Sequence, residues 1–143
     1  FFVNGHGGNI ATVTAAFSEI YSERSMEKMS NQPSIKCALR NWWDGKGIKQ
    51  LSRELYPTGE GSHATASEVA LTWYKYPETI QRKDMDPRIA PNGSFADAED
   101  YRRTFPDGRI GSDPNQATPE HGKRFYDIAV DEVARDYEAW VAR

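Results

Sequence analysis

Two short stretches of the chain combine histidine with glycine or carboxylate at spacings that could support metal binding or proton transfer. In the first, Asn-Gly-His-Gly-Gly-Asn from Asn4 to Asn9, the glycines would let a ligand or metal approach the backbone closely. In the second, Glu60 stands three residues before His63 and could orient that ring or share proton transfer with it. Glu68 follows five residues later, where a carboxylate could bind a metal or cap a helix.

The residues alone leave the role of each stretch open. His6 is either a ligand at a crevice or an incidental residue of a tight turn. The turn lacks the third glycine of a dinucleotide-binding fingerprint and the Gly-Lys-Ser/Thr ending of a phosphate loop. His63 and Glu68 do not have the four-residue offset that places two ligands on one helical face. We therefore expect His63 on a loop and Glu68 in a first helical turn, where capping alone would explain the carboxylate.

The elements that must position these residues alternate between strand and helix. The apolar run Phe1–Val3 predicts the end of a buried parallel strand covered on both faces. Asn9 is expected to cap a helix that reaches about residue 24, and residues 34–39 alternate as in a second strand. This order predicts an α/β layer fold with a mainly parallel sheet. The glycine turn and the loop after the second strand should then share the sheet edge where ligands bind.

The second half of the chain is predicted to be more helical. Helices are expected near residues 48–55 and 64–76, each ended by a proline. Residues 77–117 show no sustained period, and a loop of that length is typically functional or disordered. Thr118-Pro119-Glu120 predicts the start of a helix that runs to the end of the chain.

Composition narrows the class of protein. The 143 residues suggest one domain or a large part of one. The sequence contains no apolar run of about 18 residues, so it predicts no membrane-spanning helix. The net charge of -3 argues against a nucleic-acid surface. With Cys37 as the only cysteine, no internal disulfide can form, and a cytoplasmic location is the simplest expectation. The chain opens in mid-strand at Phe1, so we expect a fragment.

Three motifs, taken in order, resemble the creatininase family. They are the turn from Asn4 to Asn9 after an apolar strand, His-Ala-x-x-x-Glu at 63–68, and Gly-x-Asp-Pro-x-x-Ala-Thr at 111–118. The resemblance implies a three-layer α/β/α fold with residues 1–143 as the C-terminal part of a single domain whose N-terminal part is missing. It also implies a metal-dependent amidohydrolase that cleaves a cyclic or linear amide C–N bond at one or two divalent ions.

The resemblance also implies roles for individual residues. His6 would bind the metal (Zn, Mn or Fe), with Glu68 as a second ligand or near-ligand. His63 would carry the proton, and Glu60, where creatininase itself has aspartate, would orient it. A metal-activated water would attack the amide carbonyl while His63 relays a proton to the leaving nitrogen. The remaining family ligands, in a Glu-x-His segment and a downstream aspartate, would lie before Phe1.

Two positions depart from the family pattern, and one nearby aromatic has two interpretations. Gly8 stands where creatininase itself has a glutamate that binds the metal. Creatinine is therefore in question as the substrate, and Glu68 becomes the candidate for the replacement carboxylate. Thr65 replaces the usual glycine after His-Ala. Gly7 and Gly8 are assigned to substrate binding. Trp43 either forms a wall of the substrate pocket or is an ordinary core or interface aromatic.

The expected partner is a small-molecule amide, with no nucleic acid and no membrane, and the resemblance implies a homo-oligomer. The rival hypothesis is a non-catalytic or truncated family member with a binding or assembly role. The upstream sequence would discriminate the two, and the 143-residue chain alone is expected to have little hydrolase activity.

Overall fold

The structure, a computed structural model, describes residues 1–26 and 33–143. Within these residues it contains two strands and five α-helices, with 3-10 turns at Trp42–Asp44, Pro77–Thr79 and Pro114–Gln116. The strands are β1 (Phe2–Asn4) and β2 (Leu39–Asn41), and the helices are α1 (Asn9–Met26), α2 (Lys46–Leu55), α3 (Ala66–Lys75), α4 (Ala98–Thr104) and α5 (Pro119–Val141). The residues divide into two compact units: Phe1–Gly45 with Asp131–Arg143, and Lys46–Val130.

The first unit is built on a parallel pair of short strands. Phe2 pairs with Leu39 and Asn4 with Asn41. The prediction of a strand, a glycine turn and a helix is confirmed, although Asn9 is the first helical residue rather than a residue before the helix. The prediction of a strand over residues 34–39 is wrong. The second strand begins only at Leu39, because β1 offers just three residues to pair with.

The apolar residues of β1 are more exposed than the sequence predicts. Phe2 is 44% exposed and Val3 55%, so the expectation of a strand covered on both faces is wrong for the residues described. Phe1 is half-buried and packs edge-on against Tyr137 and Trp140, with ring centroids 5.4 and 5.7 Å away. The last turns of α5 therefore hold the start of β1 through aromatic contacts.

In the second unit, α3 packs against the 3-10 turns at Pro77–Thr79 and Pro114–Gln116 and closely approaches the start of α5. Ala70, Trp73 and Ala117 form a buried cluster. Gly122 on α5 lies directly over the Ala70 carbonyl, where a Cβ would collide with backbone. Phe125, fully buried one turn further on, stacks on the ring of Tyr56. The predicted helices around residues 48–55, 64–76 and 118 onward are all present within a few residues.

The long segment at 77–117 is not structureless. It contains α4, which sequence periodicity missed because the helix is only seven residues long. Asp97 caps it by accepting hydrogen bonds from the backbone of Glu99 and Asp100. Arg109, 3% exposed, donates to the carbonyls of Pro87, Arg88 and Ser112, and so ties distant parts of the segment together.

The small parallel sheet and the helices around it in sequence are compatible with an α/β class. The three-layer arrangement and the single domain over 1–143 stay predictions. Across the two described stretches, no helix combines the length and apolar character that crossing a membrane requires.

Candidate functional site

The glycine turn in the first unit is held by one buried amide, that of Asn4. Asn4 is 1% exposed, and its Nδ2 donates to the His6 carbonyl and to Asn41 Oδ1, both at 2.8 Å. Its Oδ1 accepts from the His6 backbone N–H and from Asn9 Nδ2, both at 3.2 Å. The turn and the end of β2 therefore meet at one sheet edge, as predicted. Sequence reasoning placed Asn4 in the motif without giving it this role.

His6 projects from this turn into solvent. Its ring folds over Gly8, since a Cβ at that position would lie 2.7 Å from His6 Nε2. Among the described residues, none of the hydrogen bonds involves the ring nitrogens of His6. Gly7 has no heavy atom within 4 Å of the position a Cβ would take. His6 is thus accessible to a ligand, and its predicted role in metal binding stays a prediction.

Trp43 lies in the 3-10 turn that follows β2. It is half-buried and packs edge-on against Trp42, with ring centroids 6.0 Å apart. Asn41 Nδ2 donates to Asp44 Oδ2 at 2.7 Å within the same segment. Trp43 therefore follows the same strand end that contacts Asn4, while its role in substrate binding stays a prediction.

His63 lies on an extended loop in the second unit, as the five-residue spacing predicted. It forms an isolated antiparallel bridge with Ile110, and its carbonyl accepts from the Ser112 hydroxyl at 2.7 Å. The backbone is held by residues 110–112, whereas the side chain is exposed. The imidazole ring packs edge-on against Tyr101 at a centroid distance of 5.7 Å. The result is a fixed backbone that presents an accessible imidazole.

The third sequence motif forms the scaffold for this loop. The Asp113 backbone N–H donates to the Gly59 carbonyl at 2.7 Å, and the Ser62 N–H donates to the Ile110 carbonyl at 2.9 Å. Gly61, at φ 72°, packs so tightly on this segment that a Cβ would overlap backbone atoms. Residues 111–118 therefore support the His63 loop, which gives a physical reason for the two motifs to occur together.

Ala64 connects His63 to the cap of α3 in a left-handed conformation. Its φ is 53°, a value that non-glycine residues adopt at a cost of about 1 kcal/mol or more. Among the described residues it is the one non-glycine position with positive φ. Unfavourable backbone of this kind persists where the surroundings fix it, and it is concentrated at functional sites.

Glu60 is half-buried and directed at the start of α3. Its Oε2 accepts from the Ser67 backbone N–H at 3.1 Å, and its Oε1 accepts from the Ser67 hydroxyl. Burial raises the pKa of Glu60, as does the nearby charge of Glu68, whereas hydrogen bonds from Ser67 and Ser52 act in the opposite direction. The carboxyl group thus favours its protonated form more than an exposed glutamate does.

Glu68 sits in the first turn of α3, where the sequence placed it, and completes a capping box. The Thr65 side chain accepts from the Glu68 N–H at 3.2 Å, and Glu68 Oε2 accepts from the Thr65 N–H at 3.1 Å. The Thr65 hydroxyl also donates to Glu68 Oε2 at 2.9 Å. The capping interpretation of Glu68 is therefore realised in the structure, while its ligand role stays a prediction.

Glu60 and His63, which the sequence suggested as a pair, each contact other residues in the structure. Within residues 1–26 and 33–143, no hydrogen bond joins the two side chains; Ser67 and Ser52 engage Glu60, and Tyr101 contacts the His63 ring. The roles assigned to Glu60 and His63 stay predictions.

Tyr56 and His121 form a second polar pair that sequence reasoning did not connect. The Tyr56 hydroxyl lies 3.0 Å from His121 Nδ1, and the two rings pack edge-on. Burial raises the pKa of the Tyr56 phenol, and the charge of Glu60 raises it further. Tyr56 therefore lies within range of the charge on Glu60. The two residues are 65 apart in sequence, so no local pattern could reveal their contact.

The described residues do not by themselves fit a metal centre. A catalytic zinc site typically has three protein ligands, and the part of the chain that the structure describes contains no group of three His, Cys, Asp or Glu side chains that could hold an ion. One oxygen of Glu68, moreover, is occupied by the cap of α3.

Comparison with known proteins adds one match. The model of the creatininase family, described as creatinine amidohydrolase, matches residues 1–137 of the 143. No curated protein matches the chain.

Proposed function

Because the chain belongs to the creatininase family, we propose that it acts in the hydrolysis of a cyclic or linear amide C–N bond in a small molecule. The observation that carries this proposal is the His63 loop. An accessible imidazole stands on a backbone held by residues 110–112, one residue before a left-handed alanine and five before the Glu68 carboxylate. Such an arrangement suits a proton carrier, which needs a fixed position and access to the substrate.

In this proposal, different residues of the chain have different roles. His63 carries a proton towards the leaving nitrogen of the amide. Glu60 contributes a carboxyl group that burial holds closer to its protonated form. The exposed glycine turn of Gly7 and Gly8 offers backbone to a flat substrate, and Trp43 offers an aromatic surface.

The proposal includes dependence on a divalent metal such as Zn, Mn or Fe, with His6 and Glu68 as ligands, on the strength of the family resemblance alone. Assembly as a homo-oligomer is proposed on the same basis, and a cytoplasmic location is proposed because Cys37 is the only cysteine in the sequence. A molar mass from light scattering would test the assembly, and a value equal to that of one chain would contradict it.

The test is turnover of a panel of amides by the purified protein, expressed together with any segment that its gene encodes upstream of Phe1. Creatinine, other cyclic amides and short linear amides would be supplied with and without added metal, and amine release or ring opening would be followed. The His63→Ala variant is expected to lower the rate by about 100- to 10,000-fold, the usual contribution of a general acid or base. Ser62→Ala is the matched control, because it alters the neighbouring exposed residue of the same loop.

Equal rates for His63→Ala and Ser62→Ala would remove His63 from the mechanism. A complete lack of turnover by that protein across the panel, with and without metal, would contradict the proposed hydrolase activity, whereas residues 1–143 alone are expected to show little turnover.

A further inference from the structure

The carboxyl groups of Glu60 and Glu68 are joined by two hydroxyls that no motif assigns to the site. The Ser67 hydroxyl contacts Glu60 Oε1. Ser67 Oγ lies 3.2 Å from Thr65 Oγ1, which in turn lies 2.9 Å from Glu68 Oε2. Four oxygen atoms thus form one row, Glu60–Ser67–Thr65–Glu68, with three hydrogen-bonding contacts along it. We call it the hydroxyl row.

The number of hydrogens available decides the state of this row. Each hydroxyl carries one hydrogen, so two hydroxyls supply two of the three contacts. If both carboxylates were ionised, Ser67 would donate to Glu60 and Thr65 to Glu68, and the 3.2 Å contact between the hydroxyls would lack a hydrogen. A proton on Glu60 supplies the third hydrogen. Glu60 then donates to Ser67, Ser67 to Thr65, and Thr65 to Glu68.

The acceptor capacity of Thr65 agrees with this arrangement. A hydroxyl oxygen has two lone pairs, and the Glu68 backbone N–H uses one of them at 3.2 Å. The second lone pair is then available to accept from Ser67, while the Thr65 hydrogen points to Glu68. All the bonding capacity of Thr65 is used when Glu60 is protonated.

We propose that Ser67 and Thr65 are positioning residues whose hydroxyls join the carboxyl groups of Glu60 and Glu68 into one hydrogen-bonded row, completed by a proton on Glu60. Burial and the charge of Glu68 favour the proton on Glu60, whereas the hydrogen bonds from the Ser67 backbone and from Ser52 oppose it. Tyr56, whose phenol burial keeps neutral, is another titratable group whose pKa the charge of Glu60 affects.

The row is a property of this chain rather than of the motif pattern. Thr65 stands where the family resemblance implies glycine, which has no hydroxyl to contribute. The effect of the row on catalysis rests on the proposed function. Its existence does not, because it can be measured without any substrate.

The experiment is a pH titration of Glu60 in the full chain, in which the 13C chemical shift of the Glu60 side-chain carboxyl reports its protonation. The titration is carried out on wild type, Thr65→Gly and Thr65→Ser. Glycine is tolerated before a helix at a cost of only a few tenths of a kcal/mol, so Thr65→Gly should fold. It removes an acceptor that is used only when Glu60 is protonated. The acid dissociation constant of Glu60 should therefore rise roughly three- to tenfold, the equivalent of one neutral hydrogen bond. Thr65→Ser keeps the hydroxyl and should behave as wild type.

A second pair of variants separates the row from simple charge repulsion. Glu68→Gln removes the charge but keeps an oxygen that can accept from Thr65. The Thr65→Gly effect should persist in the Glu68→Gln background if the row causes it, and loss of the effect there would assign it to a displaced Glu68 charge and overturn the proposal. An unchanged Glu60 titration in Thr65→Gly would overturn it as well. Neither result bears on whether the protein hydrolyses amides.

Discussion

The side-chain amide of Asn4 donates to Asn41 Oδ1 across 2.8 Å and joins the carboxyl ends of the two parallel strands. The same amide group bonds the backbone of His6 on both its carbonyl and its N–H. One buried side chain thus fixes the sheet edge and the turn that presents His6.

The first prediction concerns this amide. Asn4→Asp keeps the shape but removes the Nδ2 donor and places a carboxylate at a fully buried position. The His6 carbonyl and Asn41 Oδ1 would each lose their donor. Unfolding in urea should show a loss of about 2–4 kcal/mol, because buried polar groups would be left without partners. Asn9→Asp is the control, since Asn9 is exposed and makes only one of these bonds. Similar losses for the two variants would argue against a central role for Asn4.

The second prediction concerns the buried guanidinium of Arg109. It bonds three carbonyls and pairs with Asp107 at 2.8 Å. Lysine carries the charge but cannot reach acceptors in so many directions. Arg109→Lys should lower the free energy of unfolding by about 2–4 kcal/mol, because buried carbonyls would be left without a donor at about 1–3 kcal/mol each.

Arg103→Lys provides the comparison for Arg109, because Arg103 is exposed and pairs only with Asp100 on its own helix. That change should cost less than about 0.5 kcal/mol. If Arg109→Lys proves as mild in chemical denaturation, the long segment is held by other contacts.

The third prediction concerns Gly122, a helical glycine whose replacement by alanine should destabilise the fold. Replacing a helical glycine by alanine normally stabilises by about 1 kcal/mol. At Gly122 the added methyl would overlap the Ala70 carbonyl and the Tyr74 side chain, so α5 would have to move away from α3. Gly122→Ala should lower the melting temperature, with a loss of about 1–3 kcal/mol from overpacking. Gly7→Ala, where no atom lies within 4 Å, should have little effect on melting.

The fourth prediction follows from the pKa of Glu60. Burial, with the charge of Glu68, raises the pKa of Glu60 in the folded state above its ordinary value of 4.5. The folded state therefore holds this proton more tightly than the unfolded state. The corresponding stability is complete below pH 4.5 and is lost as the pH rises through the folded-state pKa.

Glu60→Gln removes this dependence. Urea melts at a series of pH values should show wild type losing stability relative to Glu60→Gln as the pH increases across that window, with a constant difference above it. Glu19→Gln, an exposed change on α1, should follow wild type at every pH. Parallel curves for wild type and Glu60→Gln would show that the environment of Glu60 does not favour its protonated form.

Local chemistry explains which parts of the fold could be predicted from the sequence. The glycine turn after β1, the cap of α3 and the Thr118-Pro119 helix start depend on neighbouring residues, and all are present. The prediction of a strand at residues 34–39 was wrong because strand length depends on the partner strand, which is distant in sequence.

The same distinction holds at the candidate site. The positions of His63 on a loop and Glu68 in the first helical turn follow from their spacing, and both are confirmed. The four bonds of Asn4 and the contact of Tyr56 with His121 bring together side chains up to 65 residues apart. The hydroxyl row is local in sequence, but it depends on rotamers that a motif does not encode.

The left-handed alanine after His63 affects the unfolded chain as well as the folded one. A glycine would adopt φ 53° without strain, but it would also give the unfolded chain many more backbone states at this position. Ala64 therefore costs some backbone strain in the folded state, but it limits the number of backbone conformations that the unfolded chain can adopt. With alanine in place of glycine, the link between the His63 loop and α3 has fewer backbone conformations open to it. We therefore expect large reorientations of the imidazole to come mainly from side-chain torsions.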